Sequence, residues 1–380
     1  MKYYIIAGEP SGDLHGSNLM KGLRHFDGDA DFRFWGGDLM AAQGGFLVKH
    51  YKETAFMGVW DVLVNLGKIQ KNFKLCYADL LANRPDVLIL IDYPGFNLRV
   101  ARFAHRQGIK VFYYISPKVW ASKKRRVYQI KKYVDELYTI LPFETEWFRS
   151  YGIEPRYCGN PVLDAIDSRP NQDEPFDAFT RRNGLDGRPK IALLAGSRKS
   201  EIGYVLPEML RMVERFPQYQ FVVAGAPSFT AADYQPFLGG KDVALVFNQT
   251  YELVQQARAA LVTSGTATLE TALLKCPQVV VYLMWGGKFT DFMAKKVFIK
   301  VPYISLVNLI LGREAVQELF QSSYSVERMA QNLTALLADS PERAQMLADY
   351  EELGNIMGQP GSSKRAAQWM TDSLTQQKHI

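Results

Sequence analysis

The chain has 380 residues, of which 47% are hydrophobic. At roughly 150 residues per domain, this length predicts two to three domains, and the apolar fraction can fill their cores, which excludes intrinsic disorder for most of the chain. Lysine and arginine outnumber aspartate and glutamate by 45 to 39, which leaves a net charge of +6. This modest excess favours an anionic partner without identifying one.

The sequence patterns indicate a cytoplasmic protein. The strand-like run of residues 3–7 is too short for a signal peptide, and Glu9 follows it closely. No uninterrupted apolar run reaches the roughly 18 residues that a membrane span needs. The three cysteines, Cys76, Cys158 and Cys276, lie far apart without a CxxC motif, which is typical of a reducing compartment and of a protein without a zinc site.

Short apolar runs alternate with helical patterns along the chain. Such an alternation predicts α/β structure with parallel sheets covered on both faces, here as two doubly wound Rossmann-like domains facing a cleft. A proline-rich stretch over 159–189 separates the domains, and only helical patterns follow residue 325 or so. The predicted bounds are 1–165 for the N-terminal domain, 185–345 for the second domain, and 346–380 for C-terminal helices that pack back on the N-terminal domain or on a partner subunit.

Ligands of open parallel sheets bind beyond the carboxyl ends of the strands, so segments that follow strands are candidate sites. The first is residues 8–13, Gly-Glu-Pro-Ser-Gly-Asp, whose glycine spacing matches neither a dinucleotide fingerprint nor a Walker loop. Its two carboxylates would repel a phosphate but suit the hydroxyls of a sugar. A tight turn with Ser11 or Asp13 as the helix N-cap explains the segment equally well.

Asp92 is the candidate general base. It follows the apolar run 86–91 and precedes Pro94. An acid at the end of a buried strand loses hydration, which raises its pKa towards neutrality, as a general base requires. The alternative is a helix cap, for which Asn97 is better placed. His15 is a second candidate base, although a structural role on the first helix is favoured for it.

Two later segments are typical of a nucleotide diphosphate site. Residues 195–202 offer backbone N–H groups at a helix start, and Arg198 can bind a diphosphate with two hydrogen bonds. In residues 264–270, Glu270 falls one position beyond a capping box and suits ribose hydroxyls. A surface arginine and an ordinary first-turn acid are the alternatives. Because no metal-binding spacing accompanies these segments, we expect no metal and no other cofactor.

Together with three further segments, these motifs resemble the lipid-A-disaccharide synthase family, from residue 8 to about 320. The matching segments are Gly8-Glu9-x-Ser11-Gly12-Asp13, Ile91-Asp92-x-Pro94-x-Phe96-Asn97, Ser116-Pro117-x-Val119-Trp120-Ala121, Leu141-Pro142-Phe143-Glu144, Gly196-Ser197-Arg198-x-x-Glu201-Ile202, Ser264-Gly265-Thr266-Ala267-Thr268-Leu269-Glu270 and Asn308-Leu309-x-x-Gly312-Arg313-Glu314.

The resemblance implies a GT-B fold and an inverting glycosyltransferase of lipid A biosynthesis. In the family, UDP-2,3-diacylglucosamine is joined to 2,3-diacylglucosamine 1-phosphate (lipid X), which yields the β-1,6-linked lipid A disaccharide 1-phosphate and UDP. One inversion needs a base and a stabilised leaving group, but no covalent nucleophile. The N-terminal domain is then the acceptor and membrane side, and the second domain the UDP-sugar side. A homodimer with exchanged C-terminal segments is also implied.

The resemblance assigns roles to particular residues, beginning with Asp92 as the base. The residues implied for the donor or UDP site are Ser197, Arg198, Ser264, Gly265, Thr266 and Glu270. The residues implied for the acceptor site or the cleft are Glu9, Ser11, Gly12, Asp13, Asn308, Arg313 and Glu314. The chain departs from the family at Asn160, where histidine is frequent, and at Ala195, where proline is common, so no acid-base role is assigned to Asn160.

The pattern over 59–80 predicts a helix that contacts a membrane. Its core face is predicted to contain Val59, Val62, Leu66, Ile69, Phe73, Cys76, Tyr77 and Leu80. Its outward arc is predicted to contain Trp60, Val64, Lys68, Lys71, Lys74 and Leu75. Apolar and basic residues on an outward face are typical of peripheral binding to an anionic membrane, here the inner face of the cytoplasmic membrane, and the basic stretch 118–132 adds to it. The alternatives are a helix buried on both sides and a solvated basic face.

Two other functions are compatible with parts of the sequence. An isomerase resembling UDP-N-acetylglucosamine 2-epimerase would have the same fold, and fold alone does not decide between them. A non-catalytic RNA-binding protein would use residues 118–132. The outward apolar residues of 59–80 favour a lipid substrate over the first alternative. The absence of a known RNA-binding module from the sequence argues against the second, so no nucleic-acid partner is expected.

Overall fold

The computed structural model describes residues 1–53, 66–283 and 302–376. The chain forms two compact units. The first unit is Met1–Asp164 together with the chain from Gln359 onward, and the second is Ala165–Gly358. The boundary between the two units, at residues 164 and 165, lies within the proline-rich stretch 159–189. The second unit extends to residue 358, beyond the predicted bound of 345.

The first unit contains a seven-stranded parallel sheet in the order β3-β2-β1-β4-β5-β6-β7. Its strands are β1 Lys2–Ala7, β2 Asp31–Gly36, β3 Phe46–His50, β4 Val87–Ile91, β5 Lys110–Tyr114, β6 Glu136–Thr139 and β7 Arg156–Tyr157. Its helices are α1 Pro10–Phe26, α2 Asp38–Ala41, α3 Leu66–Asn83, α4 Pro94–Arg106, α5 Val127–Tyr133 and α6 Pro142–Arg149, and α7 Pro161–Asp167 crosses the boundary between the two units.

The second unit contains a six-stranded parallel sheet in the order β10-β9-β8-β11-β12-β13. Its strands are β8 Lys190–Leu194, β9 Gln220–Gly225, β10 Val243–Phe247, β11 Ala257–Val262, β12 Gln278–Tyr282 and β13 Gln317–Phe320. Its helices are α8 Phe176–Arg182, α9 Lys199–Met209, α10 Ala231–Leu238, α11 Thr250–Gln256, α12 Thr266–Leu273, α13 Leu306–Leu311, α14 Val326–Leu337 and α15 Pro341–Met357, and the last helix, α16 Ser362–Gln376, belongs to the first unit.

The central strands are nearly continuous apolar runs because helices cover both faces of each sheet. Every residue of β4 is buried, and all but the first residue of β1 are buried. Burial of a large aliphatic side chain contributes about 1.5–3 kcal/mol, so these strands dominate the stability of the sheet. The α/β prediction is confirmed, although the apolar runs singled out in the sequence correspond to eight of these strands and do not include β3, β6, β7, β10 or β13.

Both sheets reverse their strand order at a central pair, which is β1 and β4 in the first unit and β8 and β11 in the second. The paired strands end level with each other, since Ala7 pairs with Ile91 and Leu194 pairs with Val262. Parallel α/β sheets bind ligands at such switch points. The four motifs singled out in the sequence follow these four strands.

The two C-terminal helices differ in what they pack against. Helix α15 lies in the second unit, where its Tyr350 hydroxyl accepts a 3.2 Å hydrogen bond from the Gln278 amide. Helix α16 packs against α1 in the first unit, and the Asp164 carboxylate holds its start by accepting from the Ser362 hydroxyl at 2.7 Å. Residues 346–380, expected to pack on the N-terminal domain or on a partner subunit, thus belong to both units, because residues 346–358 lie in the second unit.

The helix predicted over 59–80 is described from Leu66 onward, and Val59, Trp60, Val62 and Val64 lie outside the described residues. Among its predicted core positions, Cys76 and Leu80 are fully buried, and Phe73 and Tyr77 pack against the same core. In the part of the chain that the structure describes, no helix combines the length and the apolar character that crossing a membrane requires.

Candidate functional site

The Asp92 loop has an unusual backbone. Asp92 and Tyr93 both have left-handed φ angles, 41° and 50°, a conformation that costs non-glycine residues free energy and persists only where neighbours hold it. The Asp92 carbonyl oxygen accepts hydrogen bonds from the Tyr113 hydroxyl at 2.6 Å and from the Asn97 amide at 2.8 Å. Since these donors come from β5 and α4, two separate elements fix the turn that carries Asp92.

The electrostatic surroundings of Asp92 suit a general base. Burial, together with the negative charge of Glu9, raises the pKa of the Asp92 carboxyl to about 6. Lys118 and the backbone N–H of Tyr93 act in the opposite direction. A carboxyl with this pKa is ionised near neutral pH and is still a stronger base than a solvent-exposed aspartate.

The loop after β1 lies beside Asp92 and packs tightly on it. A Cβ atom on Gly8 would come within 2.4 Å of the Tyr93 ring, so only glycine fits there. Glu9 is half-buried and Ser11 is exposed. Gly12 is buried, and a Cβ there would lie 3.1 Å from the Ala7 side chain. Glu9 follows Gly8 in this loop and lies close enough to Asp92 for its charge to act on that carboxyl.

Asp13 has a different role from the predicted acceptor contact. Its buried carboxylate accepts hydrogen bonds from the backbone N–H groups of Gly37, Leu39 and Met40 at 2.7, 3.0 and 3.1 Å. These groups lie at the start of α2, so Asp13 caps that helix from another element. Its oxygens are thereby occupied, and we omit Asp13 from the acceptor site.

Glu144 joins two of the matching segments. The buried carboxylate accepts from the Ser116 hydroxyl and the Trp120 indole N–H, each at 3.0 Å, and from the backbone N–H of Leu141 at 3.1 Å. Burial raises the pKa of Glu144 and these hydrogen bonds lower it. The segments 116–121 and 141–144 therefore stabilise each other.

His15 is a weaker candidate base than Asp92. Burial lowers the pKa of its imidazole to about 4, although Asp164 acts in the opposite direction. Its buried Nδ1 atom has no hydrogen-bond partner in the described part of the chain. A neutral imidazole of this basicity accepts a proton less readily than the Asp92 carboxylate does.

In the loop after β8, Gly196 has φ 106°, and a Cβ there would lie 2.5 Å from a Glu201 oxygen. The Glu201 carboxylate accepts from the backbone N–H groups of Ser197 and Arg198 at 3.1 and 3.3 Å. These are the N–H groups expected to bind a diphosphate, and a carboxylate of the chain occupies them. The Arg198 guanidinium contacts Glu201 at 3.4 Å and is 70% exposed, so it remains able to bind an anion.

The loop after β11 leads into α12, and no carboxylate among the described residues caps this helix. Gly265 is the N-cap residue with φ 136°, no described side chain caps the helix, and its first turn contains no acid. Ser264 donates to the Ile304 carbonyl at 3.3 Å, and Thr266 is exposed. The uncapped N–H groups and the helix dipole favour an anion at this position.

Glu270 lies one turn further along α12 and is half-buried. The Tyr251 hydroxyl donates to Glu270 Oε1 at 2.8 Å. Burial raises the pKa of Glu270, and this hydrogen bond lowers it. The carboxylate therefore stands near the helix start that favours an anion, as a ribose-binding acid would.

The last matching segment forms an internal framework. The Asn308 side chain is buried, accepts from the backbone N–H groups of Ala315 and Val316 at 2.8 and 2.9 Å, and donates to Glu318 at 2.9 Å. Arg313 is paired with Asp349 on α15 at 2.8 Å and with Glu352. These contacts explain both residues without a ligand, which differs from the predicted cleft role. Glu314 is exposed.

The described outward face of α3 contains Lys68, Lys71 and Lys74, all exposed, and Leu75, which is 43% exposed. The residues are placed as predicted, whereas Trp60 and Val64 lie outside the described residues. The basic stretch 118–132 is also largely exposed, and its Tyr128 is 63% exposed. No acidic residue occurs in 118–132.

Tyr113 and Tyr251 donate hydrogen bonds to the candidate site residues Asp92 and Glu270, but the sequence analysis does not single them out. Each lies in a regular element, Tyr113 in a buried strand and Tyr251 in the short helix α11, so a core role is the default expectation for their type. Asn97 was noted only as a helix cap. Within the described residues, no group of three or more His, Cys, Asp or Glu side chains is arranged to hold a metal ion.

Two units that each contain a parallel sheet with its motifs at the switch point define the class of the protein as the GT-B fold. Solved structures with this fold include UDP-GlcNAc 2-epimerase from Methanocaldococcus jannaschii in complex with UDP-GlcNAc and UDP, at 14% identity and a TM-score of 0.64 over 98% of this chain and 99% of that one. The calicheamicin glycosyltransferase CalG4 is 14% identical, with a TM-score of 0.60 over 99% and 98%. At such identities the fold alone is shared.

Sequence comparison identifies the family. The lipid-A-disaccharide synthetase family model matches residues 3–371. The lipid-A-disaccharide synthase of Myxococcus xanthus is 36% identical over 97% of this chain and 97% of its own length. The synthase of Geobacter sulfurreducens is 35% identical over 98% and 97%. The chain belongs to the lipid-A-disaccharide synthase family.

Proposed function

We propose that the protein is an inverting glycosyltransferase that joins UDP-2,3-diacylglucosamine to 2,3-diacylglucosamine 1-phosphate, forming the β-1,6-linked lipid A disaccharide 1-phosphate and UDP. Family membership supports the reaction. The observation that carries the mechanism is Asp92, held at a switch point in a left-handed turn with a pKa raised to about 6.

In the proposed reaction, the 6-hydroxyl oxygen of the acceptor attacks the anomeric carbon of the donor, and Asp92 accepts the proton of that hydroxyl. The new C–O bond forms on the face opposite the diphosphate, the bond from the anomeric carbon to the UDP oxygen breaks, and UDP leaves with the electron pair. Attack from the opposite face converts the α-linked donor into the β-linked product, so no covalent enzyme intermediate is needed.

The second unit supplies the proposed donor site. The exposed Arg198 guanidinium exchanges its contact with Glu201 for the diphosphate. The uncapped start of α12, with Ser264, Gly265 and Thr266, stabilises the charge that develops on the leaving group. Glu270 accepts hydrogen bonds from the ribose hydroxyls.

Release of UDP tests the reaction. We expect UDP release when both acylated sugars are present, and none with either sugar alone. Rapid UDP release from the donor alone would indicate a hydrolase. Conversion of soluble UDP-N-acetylglucosamine to its 2-epimer would instead support an isomerase. The chain shares a fold with such epimerases at 10–14% identity, and a shared fold does not establish function.

We also propose that the first unit binds peripherally to an anionic membrane, at the inner face of the cytoplasmic membrane, where lipid substrates would be within reach. The support is the exposed face of α3, with Lys68, Lys71, Lys74 and Leu75, and the exposed basic stretch 118–132. Each basic residue near anionic lipid contributes about 1 kcal/mol, and the apolar residues add a contribution that salt does not screen.

Vesicle sedimentation tests this surface. Vesicles of phosphatidylglycerol and phosphatidylethanolamine should bind the protein, and raised salt should release it only in part. Leu75→Ser should weaken binding, while activity on detergent-dispersed substrate is retained. Ile356→Ser is the matched control, since Ile356 is a similarly exposed aliphatic residue, at 38%, on α15 of the second unit. Equal binding by the two variants would exclude Leu75 from the contact surface.

A homodimer is a further proposal, and it rests on the family resemblance. In the single chain, α16 is held within the first unit by Asp164, which accepts from the Ser362 backbone N–H at 3.2 Å and from its hydroxyl at 2.7 Å. Sedimentation velocity in detergent would give the mass of a dimer if the proposal holds, and that of a monomer if it does not.

A further inference from the structure

Tyr251 and Glu270 form a tyrosine–carboxylate pair between α11 and α12. The Tyr251 hydroxyl donates to Glu270 Oε1 at 2.8 Å. Burial and the charge of Glu270 both raise the pKa of the phenol far above neutral pH. Tyr251 therefore keeps its proton and is always a hydrogen-bond donor towards Glu270.

The protonation state of Glu270 depends on the hydrogen bond that the Tyr251 hydroxyl donates. Burial favours the neutral acid, which has one acceptor oxygen fewer, whereas the Tyr251 hydrogen bond favours the carboxylate. The ionised form accepts hydrogen bonds from two neighbouring hydroxyls more strongly than the neutral acid does, because these bonds are then charge-assisted. The hydrogen bond from Tyr251 thus stabilises the ionised carboxylate of Glu270, which is the form that binds a diol.

The pair also fixes the direction of the carboxylate. Oε1 is bound to Tyr251, and Oε2 has no hydrogen-bond partner among the described residues. A single anchored oxygen leaves the other facing away from the phenol. Glu270 lies near the start of α12, where no described atom beyond the adjacent residues lies within 4 Å of a Cβ atom placed on Gly265, and no described side chain caps the helix.

We propose that Tyr251 is a positioning residue for ribose recognition, which orients Glu270 towards the 2′- and 3′-hydroxyls of the nucleotide. This inference rests on the proposed function, because Glu270 must first be the ribose-binding acid. Tyr251 itself contacts Glu270, and its influence on the nucleotide passes through that carboxylate.

Calorimetric titration with two probes, UDP and 2′,3′-dideoxy-UDP, tests the proposal. Tyr251→Phe should weaken UDP binding about tenfold, the effect expected for loss of a hydrogen bond to a charged group. Binding of the dideoxy probe should stay unchanged. The matched control is Tyr324→Phe, which removes a 2.5 Å hydrogen bond from a tyrosine to Glu208 elsewhere in the same unit and should leave both affinities unchanged.

Glu270→Gln distinguishes the ribose-binding role of Glu270 from the positioning role of Tyr251. If this variant binds UDP as the wild type does, Glu270 is not the ribose acid, and the proposed donor site is wrong. If Glu270→Gln loses UDP affinity and Tyr251→Phe does not, only the role of Tyr251 is overturned. Equal losses for both probes in Tyr251→Phe would show a merely structural role and would also overturn it.

The double variant provides a second measurement. If Tyr251 acts through Glu270, the variant with both substitutions should bind UDP no more weakly than Glu270→Gln alone. Additive losses would mean that Tyr251 influences the nucleotide by another route, which contradicts the proposal.

Discussion

The Asp92 loop of the first unit and the loops around Arg198 and Glu270 in the second unit are built in contrasting ways. Around Asp92, the backbone turn is held by hydrogen bonds from the Tyr113 hydroxyl and the Asn97 amide. In the loop after β1, the Asp13 carboxylate is held by backbone N–H groups at the start of α2. In the second unit, Arg198 is 70% exposed, and Glu270 retains an oxygen without a partner among the described residues.

This contrast follows from what each region is proposed to do. A general base must have its position and pKa set before the substrate arrives, because reorganisation during the reaction adds to the barrier. Groups that bind a diphosphate and a ribose must keep unused hydrogen-bonding capacity. Rigid internal bonding is therefore expected around the base, and exposed charge is expected at the nucleotide.

The largest expected effect concerns the base. Asp92→Asn should reduce kcat about 10²–10⁴-fold, because it removes the proton acceptor without changing side-chain volume. UDP affinity and melting temperature should stay close to those of the wild type, as measured by calorimetry and circular dichroism.

Asp86→Asn is the control for this change, since Asp86 lies just before the opposite end of β4 and accepts from the Lys2 backbone N–H at 2.8 Å. It should retain full activity. An Asp92→Asn enzyme within a few-fold of wild-type turnover would show that another group removes the proton.

The next effect concerns stability. Asp13→Ala should lower the free energy of unfolding by about 2–4 kcal/mol, because three backbone N–H groups at the start of α2 lose their acceptor. Urea denaturation measures it, with Asp38→Ala as the control, since the Asp38 side chain on the same helix is 82% exposed. Unchanged stability together with a raised KM for the acceptor would return Asp13 to the acceptor site.

A smaller effect is expected at the donor. Arg198→Ala should weaken UDP binding about tenfold with no change in melting temperature, since the exposed pair with Glu201 adds little to stability. Arg211→Ala removes a comparable exposed pair, with Glu208 at 3.3 Å, and should leave UDP affinity unchanged. Equal UDP affinities for the two variants would remove Arg198 from the site.

The sequence predicted the architecture and the location of the motifs because both depend on local patterns. Continuous apolar runs indicated buried parallel strands, and the motifs after them fall at the switch points β1/β4 and β8/β11. A pattern at a strand end is visible without knowing which other elements pack nearby.

The sequence did not reveal which polar residues bond to one another across long separations. Asp13 and Gly37 are 24 residues apart, and Asn308 bonds with Val316 through a turn whose path the pattern does not specify. Residues used in this way look identical to ligand-binding residues in a motif. Tyr113 and Tyr251 were missed for the converse reason, because a tyrosine in a regular element resembles a core residue until its hydroxyl is located.

The pH dependence of kcat/KM for the acceptor tests the central claim that Asp92 is a base tuned by its neighbours. Asp92 must be ionised to act, so kcat/KM should rise with pH through about 6 and level off above it. The charge of Glu9 raises the pKa of the Asp92 carboxyl, whereas Lys118 and the backbone N–H of Tyr93 lower it, and the Tyr113 hydroxyl lies close by. Glu9→Gln should therefore move the rise to lower pH, and Lys118→Met should move it to higher pH. Because all three enzymes use the same acceptor phosphate, titration of the substrate cancels in the comparison. A rise at the same pH in all three enzymes would contradict the assignment of Asp92 as the base.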